Sequence, residues 1–155
     1  MRIGMFMKRF LASQAGTSLI EFALVAPVFL FMLVGIIEVG RYTYYGIVAS
    51  HAARAGVQYG SQNHTTAADT TGIQSAATND AGNANVTAVA SSYCQCVDLT
   101  VTTCGQPGAC ASNHQNFYVK VVVTGTEASL LNYAPLPAGL RNVTIKNTAI
   151  MRVTH

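Results

Sequence analysis

The chain has 155 residues, of which 50% are apolar and only 10% are charged, and its formal net charge is +3. This length allows one ordinary domain plus a membrane segment and is too short for two full domains. No run of basic residues alternates with aromatic ones, so the composition argues against a nucleic acid as partner.

The first predicted element is a transmembrane helix over residues 17–40. From Leu19 to Ile37 the only charged residue is Glu21, and a helix of that length nearly spans a hydrocarbon core about 30 Å thick. A buried helix of a soluble domain is the alternative, but the rest of the chain is too small and polar to surround it.

The charges that flank this helix predict its orientation. Arg2, Lys8 and Arg9 precede it, whereas basic residues are sparse just after it. The N-terminus is therefore expected to stay in the cytoplasm and the C-terminal part to be exported. No good small-x-small site closely follows the apolar run, so ordinary secretory cleavage is not expected.

The helix is predicted to continue over residues 41–60. The apolar spacing of three and four residues indicates one stripe along it, and Gly60 is a suitable C-cap. Pro27 should kink the helix, because it removes the hydrogen bond to Ala23. The stripe is either intramolecular core or an assembly surface, and it comprises Tyr45, Val48, Ala52, Ala55 and Tyr59.

Beyond the helix, residues 61–84 resemble a polar linker with one short helix around Ala67 to Thr78. A two-residue apolar period then predicts a small antiparallel sheet over residues 85–155. The segments with this period are "VDLTV", "FYVKVVV" and "NVTIKNTAIMRV", and "NVTAVA" is a possible fourth strand. The predicted fold class is therefore α+β, with a long helix that extends into a small exported sheet domain.

Four cysteines cluster in this predicted sheet domain. An even number of cysteines in an exported domain indicates two disulfides, which would support a core too small to be stable alone. Pairing of Cys94 and Cys96 with Cys104 or Cys110 is more natural than a bond between the first two, but the sequence does not choose a connectivity. Zinc binding by these cysteines, with His114 nearby, is the alternative.

The start of the apolar run has a second feature. A basic leader ends at Gly16, four residues follow, and Glu21 then stands at the beginning of the apolar helix. This arrangement resembles a type IV prepilin. More narrowly, "EFALVAP" at Glu21 to Pro27, "AAR" at Ala52 to Arg54 and the C-terminal "NTAIMRV" resemble the TadE-like pseudopilins of tight-adherence (Flp-type) pilus systems.

The resemblance implies a function in pilus assembly. A prepilin peptidase would remove residues 1–16 by cutting between Gly16 and Thr17 on the cytoplasmic side of a bacterial inner membrane. Glu21 would then pair with the free amine of Thr17 in a neighbouring subunit, which would offset the cost of burying a charge. The implied partners are the peptidase, other pilins or pseudopilins, the assembly platform and the membrane.

Three alternatives stay open at this level. Glu21 could lie idle among the lipid headgroups. The protein could be an uncleaved single-pass membrane protein whose exported domain binds a partner. A major pilin is disfavoured, because Flp-type major subunits are much shorter. No motif indicates catalysis, a cofactor, a metal site or a small-molecule substrate, so we do not expect an enzyme.

Overall fold

The computed structural model describes residues 17–82, 84–106, 108, 110, 114–130 and 141–154. The predicted leader, including Gly16, lies outside this part of the chain. The chain divides into two units, one that ends at Gly40 and one that begins at Arg41. The first described element, helix α1 (Thr17–Gly60), has 44 residues and includes Pro27.

The C-terminal part of α1 presents a face of small residues to the domain core. Ala49, Ala52, Ala53 and Val57 are each no more than 1% exposed, and their spacing of three and four residues puts them on one side of the helix. Of the predicted stripe, Ala52 lies on this face, while Val48 and Tyr59 are half-buried against the core. The buried face is therefore rotated relative to the prediction and is built from smaller side chains.

Two short helices follow in the segment that the sequence suggested to be a polar linker. They are α2 (His64–Ala68) and α3 (Thr70–Ala81). Asn63 and Thr66 form a capping box at the start of α2, and the Asp69 side chain accepts a hydrogen bond from the Gly72 amide at 2.9 Å at the start of α3. Such caps satisfy amides that the first turn of a helix leaves unpaired.

Asp69 also links α3 to the end of α1. The Tyr59 hydroxyl donates to Asp69 Oδ2 at 3.1 Å. This hydrogen bond and the adjacent negative charge raise the pKa of Tyr59. Ile73, Ala77 and Ala81, spaced four residues apart along α3, are buried in the core.

The strands that follow form one four-stranded antiparallel sheet in the order β2-β1-β3-β4. Its strands are β1 (Val86–Cys96), β2 (Val101–Thr102), β3 (Gln115–Ala128) and β4 (Asn142–Arg152). Val119, Val121 and Val123 of β3 are fully buried, as their two-residue period predicts. The predicted α+β class and the predicted pairing of a long helix with an antiparallel sheet are confirmed.

The predicted strand "VDLTV" is wrong except for Val101, which begins β2, whereas the possible fourth strand "NVTAVA" is confirmed as the start of the long strand β1. Val97 to Thr100 form the turn between β1 and β2, with Leu99 at a φ of 67°. The Leu99 amide donates to the Cys96 carbonyl at 3.0 Å, and the Thr100 hydroxyl donates to Asp98 Oδ1 at 2.6 Å. These local hydrogen bonds compete with a strand ladder, and those from Thr100 also lower the pKa of Asp98.

Gly56 and Gly60 lie where α1 packs closely against α3 and β3. A Cβ atom on Gly56 would lie 3.2 Å from the Ile73 carbonyl oxygen, and one on Gly60 would lie 2.9 Å from Val119 Cγ1. Gly60 is the last residue of the helix, and its backbone does not adopt the left-handed conformation of a glycine that follows a helix. Its missing side chain allows α1 to contact both α3 and β3.

We expect Gly60→Ala to lower the free energy of unfolding by about 1 to 3 kcal/mol, because the added methyl overpacks the contact with Val119 and Ile73. The matched control is Gly46→Ala in the same helix, where a Cβ atom would meet nothing within 4 Å. That variant should gain up to about 1 kcal/mol from helix propensity. Denaturant unfolding of the two variants in detergent measures the difference. Equal stability of the two variants would contradict the close-contact explanation.

Candidate functional site

The apolar part of α1 is the first candidate site. Among the described residues, Ser18–Gly60 is the one helix long and apolar enough to cross a membrane, and its most apolar window of 18 residues has a mean hydropathy of 2.5. Large side chains on all sides of it are exposed, for example Phe22 (72%) and Ile36 (73%). An apolar helix with no polar face suits a span in hydrocarbon, because a helix pairs nearly all of its backbone polar groups internally.

Glu21 lies at the beginning of this exposed segment. It follows Thr17 by four residues in α1, and residues so spaced share one face of a helix. The Glu21 side chain is exposed, so its carboxylate is accessible to a group from outside the chain. The next charged residue is Glu38.

Helix α1 continues through Pro27 without a break. Proline has no amide hydrogen, so the carbonyl of Ala23 loses its usual helical donor. The kink expected at this position stays a prediction, as does cleavage after Gly16.

The second candidate site is the end of the sheet that carries the cysteines. The structure pairs Cys94 with Cys104 and Cys96 with Cys110. Both pairs join β1 to the segment that follows the β1–β2 turn, and no cysteine is free. The two predicted disulfides are thus present, with the connectivity that the sequence left open.

The disulfides hold a turn whose apolar side chains point into solvent. Val97 is 68% exposed and Leu99 is 74% exposed. Leu99 also adopts a left-handed backbone conformation that costs a residue with a Cβ atom roughly 1 to 2 kcal/mol. In the part of the chain that the structure describes, no group of three or more His, Cys, Asp or Glu side chains could hold a metal ion.

A groove of about 480 Å³ lies between α1 and the edge strand β4. Its lining includes Arg54 and Gln58 from the helix and Thr148 and Met151 from the strand. The Asn147 side chain closes one side by donating a hydrogen bond to the Gly46 carbonyl at 3.1 Å. Ala53 and Arg54 of the "AAR" stretch therefore stand at the boundary between core and groove.

The arrangement defines a class of protein: one N-terminal apolar helix suited to single-pass membrane anchoring, joined to a small disulfide-bonded α+β domain. Comparison with family models shows which protein family this helix resembles. Residues 16–58 match the family described as TadE-like protein, so the segment that carries Gly16, Glu21 and Pro27 is TadE-like, as its motifs predicted. No curated protein and no solved structure matches the chain.

Removal of the Cys96–Cys110 bond in the variant Cys96→Ala/Cys110→Ala should lower the free energy of unfolding by about 2 to 5 kcal/mol, because the unfolded chain regains the freedom that the bond restricts. The same double substitution at Cys94 and Cys104 gives the matched comparison, and thermal unfolding with and without reductant measures both. The untreated native protein should contain no alkylatable thiol. Four reactive thiols would instead contradict the disulfides and revive zinc binding.

Proposed function

We propose that this protein is a minor pilin or pseudopilin of a Flp-type pilus system, processed by a prepilin peptidase and active in pilus assembly or a related adherence or secretion machine. The observation that carries the proposal is the TadE-like match over residues 16–58. That range contains the proposed cleavage site and most of α1. The match supports an association with a Tad pilus system. Processing by a prepilin peptidase is a further step that we propose.

The first proposed step is hydrolysis of the peptide bond between Gly16 and Thr17. Water adds across this bond, which leaves a carboxylate on Gly16 and a positively charged amine on Thr17. Glycine at this position leaves room for the peptidase, because it has no side chain. The helix would then begin at the new N-terminus, since Thr17 is the first residue of α1.

The second proposed step is association through the exposed apolar surface of α1. A carboxylate at Glu21 is costly in hydrocarbon, and a nearby positive charge offsets this cost. The amine of Thr17 in a neighbouring subunit would supply that charge. The exposure of Glu21 and of the apolar side chains around it in the single chain supports this assignment.

In the proposed function the protein has a structural role and does not catalyse a reaction. Its N-terminus would lie in the cytoplasm and its disulfide-bonded domain on the outer side of the inner membrane, where disulfides persist. The competing function is that of an uncleaved single-pass protein with an exported interaction domain. The N-terminal residue of the mature protein distinguishes the two, because only processing produces a chain that starts at Thr17.

Gly16→Leu should abolish processing and leave a full-length protein in the membrane, because the new side chain collides with the peptidase. Gly16→Ala is the matched control, and it should be processed more slowly than wild type but to the same end. Mass spectrometry of the membrane-extracted chain measures the N-terminus. Normal processing of Gly16→Leu would contradict the prepilin assignment.

Glu21→Ala should produce a subunit that is inserted and cleaved but does not assemble. Insertion should be unchanged or easier, because the substitution removes a charge from the apolar segment. Cleavage should persist, since the bond cut lies at Gly16. Crosslinking to other pilin subunits should fall, because the neighbour's amine loses its carboxylate.

Glu21→Asp is the control for this substitution, because it retains the negative charge and shortens the side chain by one methylene. It should recover part of the crosslinking that Glu21→Ala loses. N-terminal sequencing of both variants separates assembly from processing. Wild-type crosslinking and pilus formation by Glu21→Ala would show that the carboxylate is idle at the interface.

A further inference from the structure

The sheet has an outer face that none of the described helices covers. Buried valines of β3 face the core, so the alternate side chains of each strand face outward. The strand register aligns Tyr93 of β1 with Tyr118 of β3, and Tyr118 with Arg152 of β4. One further row aligns Ser91, Lys120 and Ile150 on the same face.

Among the described residues, the outer face carries positive charge without a carboxylate. Lys120, Lys146 and Arg152 all lie on it, and none of them forms an ion pair within the described residues. The acidic residues of this unit lie elsewhere: Asp69 and Asp80 belong to the helical segment, Asp98 lies in the β1–β2 turn, and Glu127 is on the opposite face of β3, in phase with the buried valines. An uncompensated positive face favours an anionic partner.

The tyrosine pair determines which contacts such a partner can make with aromatic rings and with hydroxyl groups. The rings of Tyr93 and Tyr118 stack with their centroids 5.5 Å apart and their planes at 16°. A flat face of each ring is therefore occupied by the other ring. Neither hydroxyl has a hydrogen-bond partner among the described residues, and both side chains are half-exposed.

We propose that this outer face, defined by Tyr93, Tyr118, Lys120, Lys146 and Arg152, binds an acidic polysaccharide. Carboxylates along such a polymer would accept charge-assisted hydrogen bonds from the three cations. Sugar hydroxyls would bond to the tyrosine hydroxyls, and the exposed Val89 and Ile150 would contact the apolar faces of the sugar rings.

The stacked tyrosines favour a sugar polymer over single-stranded nucleic acid. Proteins that bind single strands offer open aromatic faces on which bases stack, and here one face of each ring is already covered by the other ring. An acidic polysaccharide also engages both polar features of this face, because its carboxylates pair with the cations and its hydroxyls bond to the tyrosine hydroxyls. This proposal does not rest on the processing of the chain after Gly16.

The test uses the full chain in a non-ionic detergent and immobilised polygalacturonate, with dextran as the neutral control and oligo(dT) as the nucleic-acid control. We expect saturable binding to polygalacturonate that weakens as salt is added, and none to dextran. Lys120→Gln and Arg152→Gln should each weaken binding roughly fivefold, the scale of one exposed ion pair. Arg41→Gln is the control and should leave binding unchanged, because the Arg41 side chain donates a hydrogen bond to the Ala128 carbonyl at the far end of β3.

Tyr118→Phe separates the two kinds of polymer. It retains the stacked ring and removes the hydroxyl, so polygalacturonate binding should weaken roughly threefold, as for one lost hydrogen bond. Unchanged thermal unfolding shows that each variant is folded. The proposal is overturned if polygalacturonate does not bind, if Arg41→Gln weakens binding as much as Arg152→Gln, or if oligo(dT) binds more tightly than the sugar polymer.

Discussion

The folded domain depends on how closely α1 can approach α3 and the sheet. Its buried residues are mainly alanine, valine and glycine, with Ile73 among the largest side chains that are fully buried. Small side chains fill an interface only when backbones lie close together, and dispersion contacts weaken steeply as a gap opens. Gly56 and Gly60 provide this proximity, since a Cβ atom on either would press against Ile73. The packing of the whole domain follows from this contact.

A core of this composition gives limited stability, and the other features of the domain compensate for it. The two disulfides restrict the unfolded chain near the end of β1, where the strand pairs with only two residues of β2. At the other end of the chain, the Thr154 amide donates to the Ser61 carbonyl at 3.0 Å and the Val153 amide to that of Phe117 at 2.8 Å. These bonds hold the segment after β4 beside the end of α1. The domain is thus closed by covalent and backbone bonds where apolar burial is small.

The parts of the fold that follow a strong local period could be predicted from the sequence. Strands β3 and β4 are of this kind, because their side chains alternate regularly between environments, and the apolar helix could be predicted from the length of its uninterrupted apolar run. The β1–β2 turn could not, since "VDLTV" alternates like a strand, and what makes it a turn is a set of local hydrogen bonds, among them those from Thr100 to Asp98 and from Leu99 to Cys96. Helix α3 has few apolar residues, and its cap at Asp69 was the available signal. The role of Gly56 and Gly60 is a tertiary property that no local pattern encodes.

The distribution of the six acidic residues connects the fold to its surfaces. Two of these carboxylates are used in local structure, because Asp69 caps α3 and binds Tyr59 while Asp98 fixes a turn. None of the other four lies on the outer sheet face, and one of them, Glu21, is in the apolar segment of α1, where a lone charge is unfavourable. Among the described residues, neither surface therefore has a charge of opposite sign that compensates its own. We propose that the compensating group is the amine of another subunit for Glu21 and an anionic polymer for the sheet face, so the two surfaces would take partners of opposite charge.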